Sequence, residues 1–156
     1  MRLWAFVMAA ALMLPGAQAV ACAAPAELQA LRGAVLAGFN AERARAGGVP
    51  LHPSPALEAA AQYHACDIAR RQRLSHRGGL FSSLPSRLRR AGYTFSMANE
   101  NLAMGQTSPA QVMQSWMAST GHRANILAGP ARHLGVGVAL GPDGLLYWVT
   151  VGAAPR

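Results

Sequence analysis

The sequence predicts an α+β protein in which helices lie on both sides of a small, mainly antiparallel sheet. Three observations lead there. Residues 27–46, 54–74 and 108–118 place apolar side chains three and four apart, the spacing of one helix face. The stretch HLGVGVAL, the turn GPDG and the stretch LLYWVTV then read as a hairpin near the C-terminus. Gly135 and Gly137 sit between the apolar residues of its first strand, which implies that another backbone or a helix packs closely on that face. Helices, a short strand, helices and a hairpin, in that order, make a layered α+β fold.

Residues 1–19 stand apart from this pattern. Arg2 precedes an apolar run from Leu3 to Leu14, Pro15-Gly16 breaks it, and Ala17-Gln18-Ala19 supplies the small residues of a signal-peptidase site. The run of twelve residues is shorter than the about 20 that a spanning helix needs. Export with cleavage after Ala19 is expected, leaving an N-terminal segment, 20–27, and one domain over 28–154. The product is not membrane-spanning and acts in the periplasm or outside the cell. Ala19-Val20-Ala21-Cys22 also resembles a lipoprotein box with Ala where Leu is usual, so anchoring through Cys22 is the lesser expectation. The two cysteines, Cys22 and Cys66, are bound for an oxidising compartment, where a disulfide is the default.

The first helix, residues 27–46, turns Leu28, Leu31, Val35 and Phe39 inward, with Arg32, Glu42, Arg43 and Arg45 mostly off that stripe, and ends at Gly47-Gly48. Three prolines make VPLHPSP extended. Ser54 caps the second helix with Pro55 at its first position, where a missing N–H costs nothing. Its inner face is Leu57, Ala61, His64, Ala65 and Ile68, extended by Leu74. His64 therefore reads as a core histidine or a support for a ligand, and Asp67 as solvent-facing.

A turn follows over residues 75–79. His76, just past a helix end, is explained on its own by capping of the last carbonyls. Residues 81–93 read as a short basic helix or loop interrupted by Pro85, and residues 93–97 as a short strand that delivers Asn99-Glu100-Asn101. Ser108 caps a helix with Val112, Met113, Trp116 and Met117 inward. Ser119-Thr120-Gly121 breaks it, and His122 lies in the first turn of another short helix ending near Leu127. His52 and His133 read as surface residues.

The formal charge is +8, and all 14 cationic residues are arginine. Arg70, Arg71 and Arg73 form one cluster and Arg87, Arg89 and Arg90 another; both read as solvated faces. No aromatic residues interleave them in the manner of a nucleic-acid surface, so no nucleic-acid partner is expected. Weak attraction to anionic envelope polymers is compatible with this charge.

Several motifs in fixed order carry a resemblance: Ser75-His76 followed by Gly78, ENLAMG from Glu100, SWMASTGHRANIL from Ser115, and LGVGVA running on to YWVTVGA. They resemble the superfamily of cysteine-rich secretory proteins, antigen 5 and pathogenesis-related protein 1 (CAP, with its SCP domain) in its compact bacterial form, from Leu28 to Ala153. The resemblance implies an α/β/α sandwich with a cleft lined by two histidines, His76 and His122, and an acidic residue, Glu100, with Asn101 beside it. The family's second acidic position is Ser119 here, which supplies a hydroxyl and no charge. The family can bind a divalent cation through the two histidines, so Zn²⁺ or another divalent cation is the expected cofactor, with Glu100 as third ligand or as the group that holds a histidine tautomer.

Two functions follow from this. One is a non-catalytic, monomeric binding domain whose cleft takes a cation, a small or lipid-like molecule, or an envelope component. The other is a hydrolase using a metal-bound water, with His76, Glu100 and His122 as candidate catalytic residues. A serine nucleophile at Ser119 or Ser75 has no GxSxG elbow behind it, and Cys66 is expected in a disulfide.

Overall fold

The computed structural model describes residues 22–79 and 82–156. The expected signal segment, 1–19, and the cleavage site after it lie outside the described residues. The elements run α1 (Leu28–Arg45), β1 (His52–Pro53), α2 (Pro55–Arg71), α3 (Leu84–Arg90), β2 (Phe95–Met104), α4 (Pro109–Ala118), α5 (Thr120–Ile126), β3 (His133–Leu140) and β4 (Leu146–Pro155). The four strands form one sheet in the order β1-β3-β4-β2. β4 pairs antiparallel with β2 and β3, and β1 lies parallel to β3. This is the expected layered arrangement, with β2 on one edge.

Each face of the sheet carries its own core. Successive residues of a strand point to opposite faces, so Tyr147, Val149, Val151 and Ala153 of β4 pack with Leu57, Ala61, Ala65 and Ile68 of α2 and Leu88 of α3. Trp148 points the other way, into a cluster with Val35 and Phe39 of α1, Val112 and Trp116 of α4, and Ile126 of α5. The glycines of β3 explain how closely α2 lies. A Cβ on Gly135 would sit 2.1 Å from the Leu57 carbonyl carbon, and one on Gly137 2.4 Å from that of Ala61.

A disulfide joins Cys22 to Cys66 of α2. It ties down the N-terminal segment, whose Ala23 bridges to Leu140 at the end of β3. The bond takes up the Cys22 sulfur that acylation would use. Closing a loop with a separation of 44 residues contributes about 4 kcal/mol in the chain-entropy view.

Five local expectations need correcting. Pro85 does not interrupt a helix; it lies in the first turn of α3, which Ser83 and Ser86 open with a capping box. Leu74 is exposed because Gln72, with φ 49°, ends α2 in the left-handed conformation and turns the chain away. His52-Pro53 is a strand, since the His52 and Ser54 N–H groups bond to the Arg132 and Leu134 carbonyls. The strand delivering Asn99-Glu100-Asn101 is longer than expected and contains those residues. Arg43 is buried rather than solvated, because its guanidinium bonds the carbonyls of Val49 at 2.6 Å, Ile126 at 3.0 Å and Ala128 at 2.8 Å. It satisfies acceptors left bare where α5 ends, and so ties α5 to α1.

The glycine contacts give the first prediction. Gly135→Ala or Gly137→Ala forces α2 off the sheet and lowers stability in urea unfolding by about 3 kcal/mol or more. Gly33→Ala, in α1 with nothing within 4 Å of the new methyl, raises it by about 0.5–1 kcal/mol.

Candidate functional site

The site forms where β2 leaves its outer edge unpaired. Neighbouring strand residues face opposite sides, so Glu100 points toward α2 and α3 while Asn101 points toward α5. The register Glu100↔Val151 and Asn101↔Thr150 fixes that assignment.

Glu100 is buried, and both its oxygens are occupied. Arg87 of α3 donates through Nη2 to Oε2 at 2.5 Å, and His76 donates through Nδ1 to Oε1 at 2.9 Å. Arg87 is itself buried, and its Nη1 donates to the Ser82 carbonyl at 3.1 Å and the His76 carbonyl at 3.4 Å. One guanidinium thus joins α3, the turn that carries His76, and β2. Arg87 is therefore not the solvated residue expected from its cluster: it is the counter-ion of the buried acid.

His76 has a 63% exposed side chain. With Nδ1–H on Glu100, its neutral ring presents the Nε2 lone pair outward. The hydrogen bond to the carboxylate raises its pKa above the usual imidazole value, against an opposing effect of burial. His122, in the first turn of α5, has its pKa lowered by burial and then by the positive charge of His76. The two histidines therefore lie within electrostatic reach of each other across the edge of β2. The His122 ring makes no hydrogen bond among the described residues, while its backbone carbonyl accepts from Asn101 Nδ2 at 3.1 Å.

Asn101 does not line an open cleft. It is 1% exposed, and its amide carbonyl accepts from Asn125 Nδ2 at 2.8 Å, which also donates to the Glu100 carbonyl at 3.2 Å. These bonds hold α5 against β2 and set where His122 stands. Ser119 occupies the N-cap position of α5, but its side chain makes no capping bond, so capping does not account for it. It makes no hydrogen bond to a histidine either.

His64 is the supporting histidine expected from its place on α2. Fully buried, it donates from Nε2 to the Ser75 carbonyl at 2.9 Å and so holds the residue before His76. Its Nε2 is 3.8 Å from Glu100 Oε1, yet burial lowers its pKa; the ring is neutral and this contact is no ion pair. Its Nδ1 has no partner among the described residues. Asp67 is buried rather than solvent-facing, because Arg71 and the Gly79 N–H bond its carboxylate at 2.7 and 3.1 Å. His133 is half-buried and shares a 2.7 Å hydrogen bond with the Tyr93 hydroxyl, while His52 is exposed.

No three histidine, cysteine or carboxylate side chains converge as a metal cluster among the described residues. Glu100 directs its two oxygens to His76 and Arg87. The imidazoles of His76 and His122 are the ring donors at this edge of β2, and Glu100 holds the tautomer of the first.

A profile of the Cysteine-rich secretory protein family, CAP, matches residues 36–151, and the chain belongs to that family. It is 33% identical over 114 residues to the uncharacterized protein YkwD of Bacillus subtilis, an overlap covering 73% of this chain and 44% of that one. In structure it is similar to an extracellular protein containing an SCP domain from Bacillus anthracis, with a TM-score of 0.73 and 25% identity over 81% of this chain and 41% of that one. An outer surface protein of Borrelia burgdorferi shares the fold, with a TM-score of 0.71 and 18% identity over 78% of this chain and 90% of that one. The chain spans less than half the length of both Bacillus relatives. No helix among the described residues is long and apolar enough to cross a membrane.

Two outcomes follow. Arg87→Met or Glu100→Leu alone strands a buried charged partner and costs about 3–5 kcal/mol, whereas Arg87→Met/Glu100→Leu costs less than the sum; a double-mutant cycle in urea reads the difference. Acid also acts through His64. Its folded pKa is lowered, so the unfolded chain binds the proton more readily, and stability falls as pH drops below the unfolded value of 6.5 toward the folded one. Thermal melts between pH 7.5 and about 5 are expected to be flatter for His64→Gln than for the parent.

Proposed function

We propose that this chain is an exported, monomeric CAP domain whose cleft binds a divalent cation through His76 and His122, and with it a small, lipid-like or envelope ligand, without catalysing a reaction. The observation that carries this reading is the full occupation of the Glu100 carboxylate by Arg87 and His76. A carboxylate held in that way orients an imidazole and is not free to take a proton from water. Metal-assisted hydrolysis, the competing reading, needs such a base, and Ser119 supplies no charge in its place.

His76 meets the requirement for a ligand, since its Nε2 faces outward while Nδ1 is fixed. His122 contributes a second imidazole whose lowered pKa keeps it neutral near pH 7. A bound Zn²⁺ would supply positive charge and open coordination positions to a ligand with oxygen donors. Export is supported by the signal-like residues 1–19, by the disulfide, and by the extracellular relative from Bacillus anthracis.

A calorimetric Zn²⁺ titration tests the cation. Saturable one-to-one binding is expected for the oxidised protein and none for His76→Ala/His122→Ala. Glu100→Gln, which leaves both imidazoles in place, is expected to weaken binding about 10–100-fold. Because the His76 pKa is raised, protons compete with the cation already above the ordinary imidazole value of 6.5, and affinity falls steadily as the solution is acidified through that range. Equal binding by the parent and the double variant would sink the reading.

A further inference from the structure

Charge on this protein is unevenly matched. Residues 68–99 hold seven arginines and no acidic residue. The two acids that flank the stretch are already used. Asp67 is bonded by Arg71 and the Gly79 N–H and lies 3.6 Å from Arg70, and Glu100 by Arg87 and His76. Arg90 lies over the Tyr63 ring, with its guanidinium carbon 5.2 Å from the ring centroid. That leaves Arg73, Arg77 and Arg89 without counter-ions among the described residues.

Two of these line one cavity. A recess of about 650 Å³ lies between the turn after α2 and helix α3, with Arg77 and Arg89 on its walls beside Ser82 and Ser83, and no carboxylate among its lining groups. The Ser83 hydroxyl accepts from the Ser86 N–H and the Ser82 hydroxyl from Arg87, so each keeps its own proton to donate. Arg89 also lines a second recess, of about 560 Å³, which Arg156 shares with Thr94 and Ser96. The positive surface therefore continues from Arg77 across Arg89 to Arg156.

We propose that this surface is a second binding site, separate from the histidine cleft, for an extended polymer carrying phosphate groups, with the Arg77–Arg89 recess taking one phosphate and the Arg89–Arg156 recess a neighbouring one. Guanidinium groups and hydroxyls are the donors that phosphate oxygens select. Cations set in two adjoining recesses suit a chain that follows them better than a flat membrane surface. Arg77 directly follows His76, so a polymer bound here passes beside the cleft.

The probes are inorganic phosphate, tripolyphosphate and long-chain polyphosphate, titrated against the oxidised chain from residue 20 in EDTA so that no cation contributes. Affinity is expected to rise with chain length. Arg77→Gln/Arg89→Gln should lose about tenfold or more, and the slope of log affinity against log salt should shrink by about 1.4 for two lost single-strand phosphate contacts. Arg45→Gln/Arg132→Gln, an equal change of charge elsewhere, should lose less than about twofold. His122→Ala, which leaves the turn carrying Arg77 untouched, should bind phosphate as the parent does, which separates this proposal from the fate of the cation site. Equal losses in the two arginine pairs would mean diffuse attraction and overturn the site. Affinity independent of chain length, or tighter arginine-dependent binding to phosphatidylglycerol vesicles than to polyphosphate, would overturn the polymer.

Discussion

Taking an ionised carboxylate out of water costs several kcal/mol unless opposite charge and hydrogen bonds meet it, and Glu100 is buried in the edge strand of the sheet. Arg87 supplies the charge and His76 the second hydrogen bond. Both partners come from the stretch between α2 and β2, which has few apolar anchors of its own. The turn carrying His76 is held by Arg87 through the Ser82 and His76 carbonyls, and by His64 through the Ser75 carbonyl. A polar network inside the α2 layer thus does for the loop what apolar packing does for the helices.

The opposite face reaches a similar result by other means. α5 is only seven residues long, too short to be stable alone. It is fixed along its β2 side by Asn101 and Asn125 and at its C-terminal end by Arg43, whose guanidinium gathers the carbonyls where the helix stops. His122 is consequently placed by Asn101, Asn125 and Arg43 and not by bonds of its own ring. The two histidines approach from opposite layers of the sandwich, and the edge of β2 is the common reference against which each is positioned.

Much of this was legible in the sequence, and the parts that were not share a cause. Periodicity located α1, α2, α4 and the hairpin because burial of an apolar stripe is a local pattern. Gly135 and Gly137 announced close packing because only glycine tolerates it. His64 betrayed its buried role by lying on the α2 stripe. His76, Glu100 and His122 were recognisable as a set through family motifs, but not that Glu100 would be enclosed between His76 and Arg87. Arg43, Arg87 and Asp67 all read as solvated, since a buried charge differs from an exposed one only in what lies across from it, often dozens of positions away. Arg87 looks no different in the sequence from Arg89 two residues later, yet one is enclosed and the other lines a recess. β1 was missed because a two-residue strand, His52–Pro53, carries no alternation.

The register of β2 has a consequence for how function and folding are joined. Glu100 and Asn101 are successive residues on a strand paired one-to-one with β4. A slip by a single position would turn the acid toward Asn125 and the amide toward Arg87, leaving a guanidinium enclosed without its counter-charge. Misregistered sheets are therefore penalised by the same two side chains that position His76 and His122. Folding in register sets both histidine-bearing segments against one strand, and a change at this acid–amide step needs another device to set the strand.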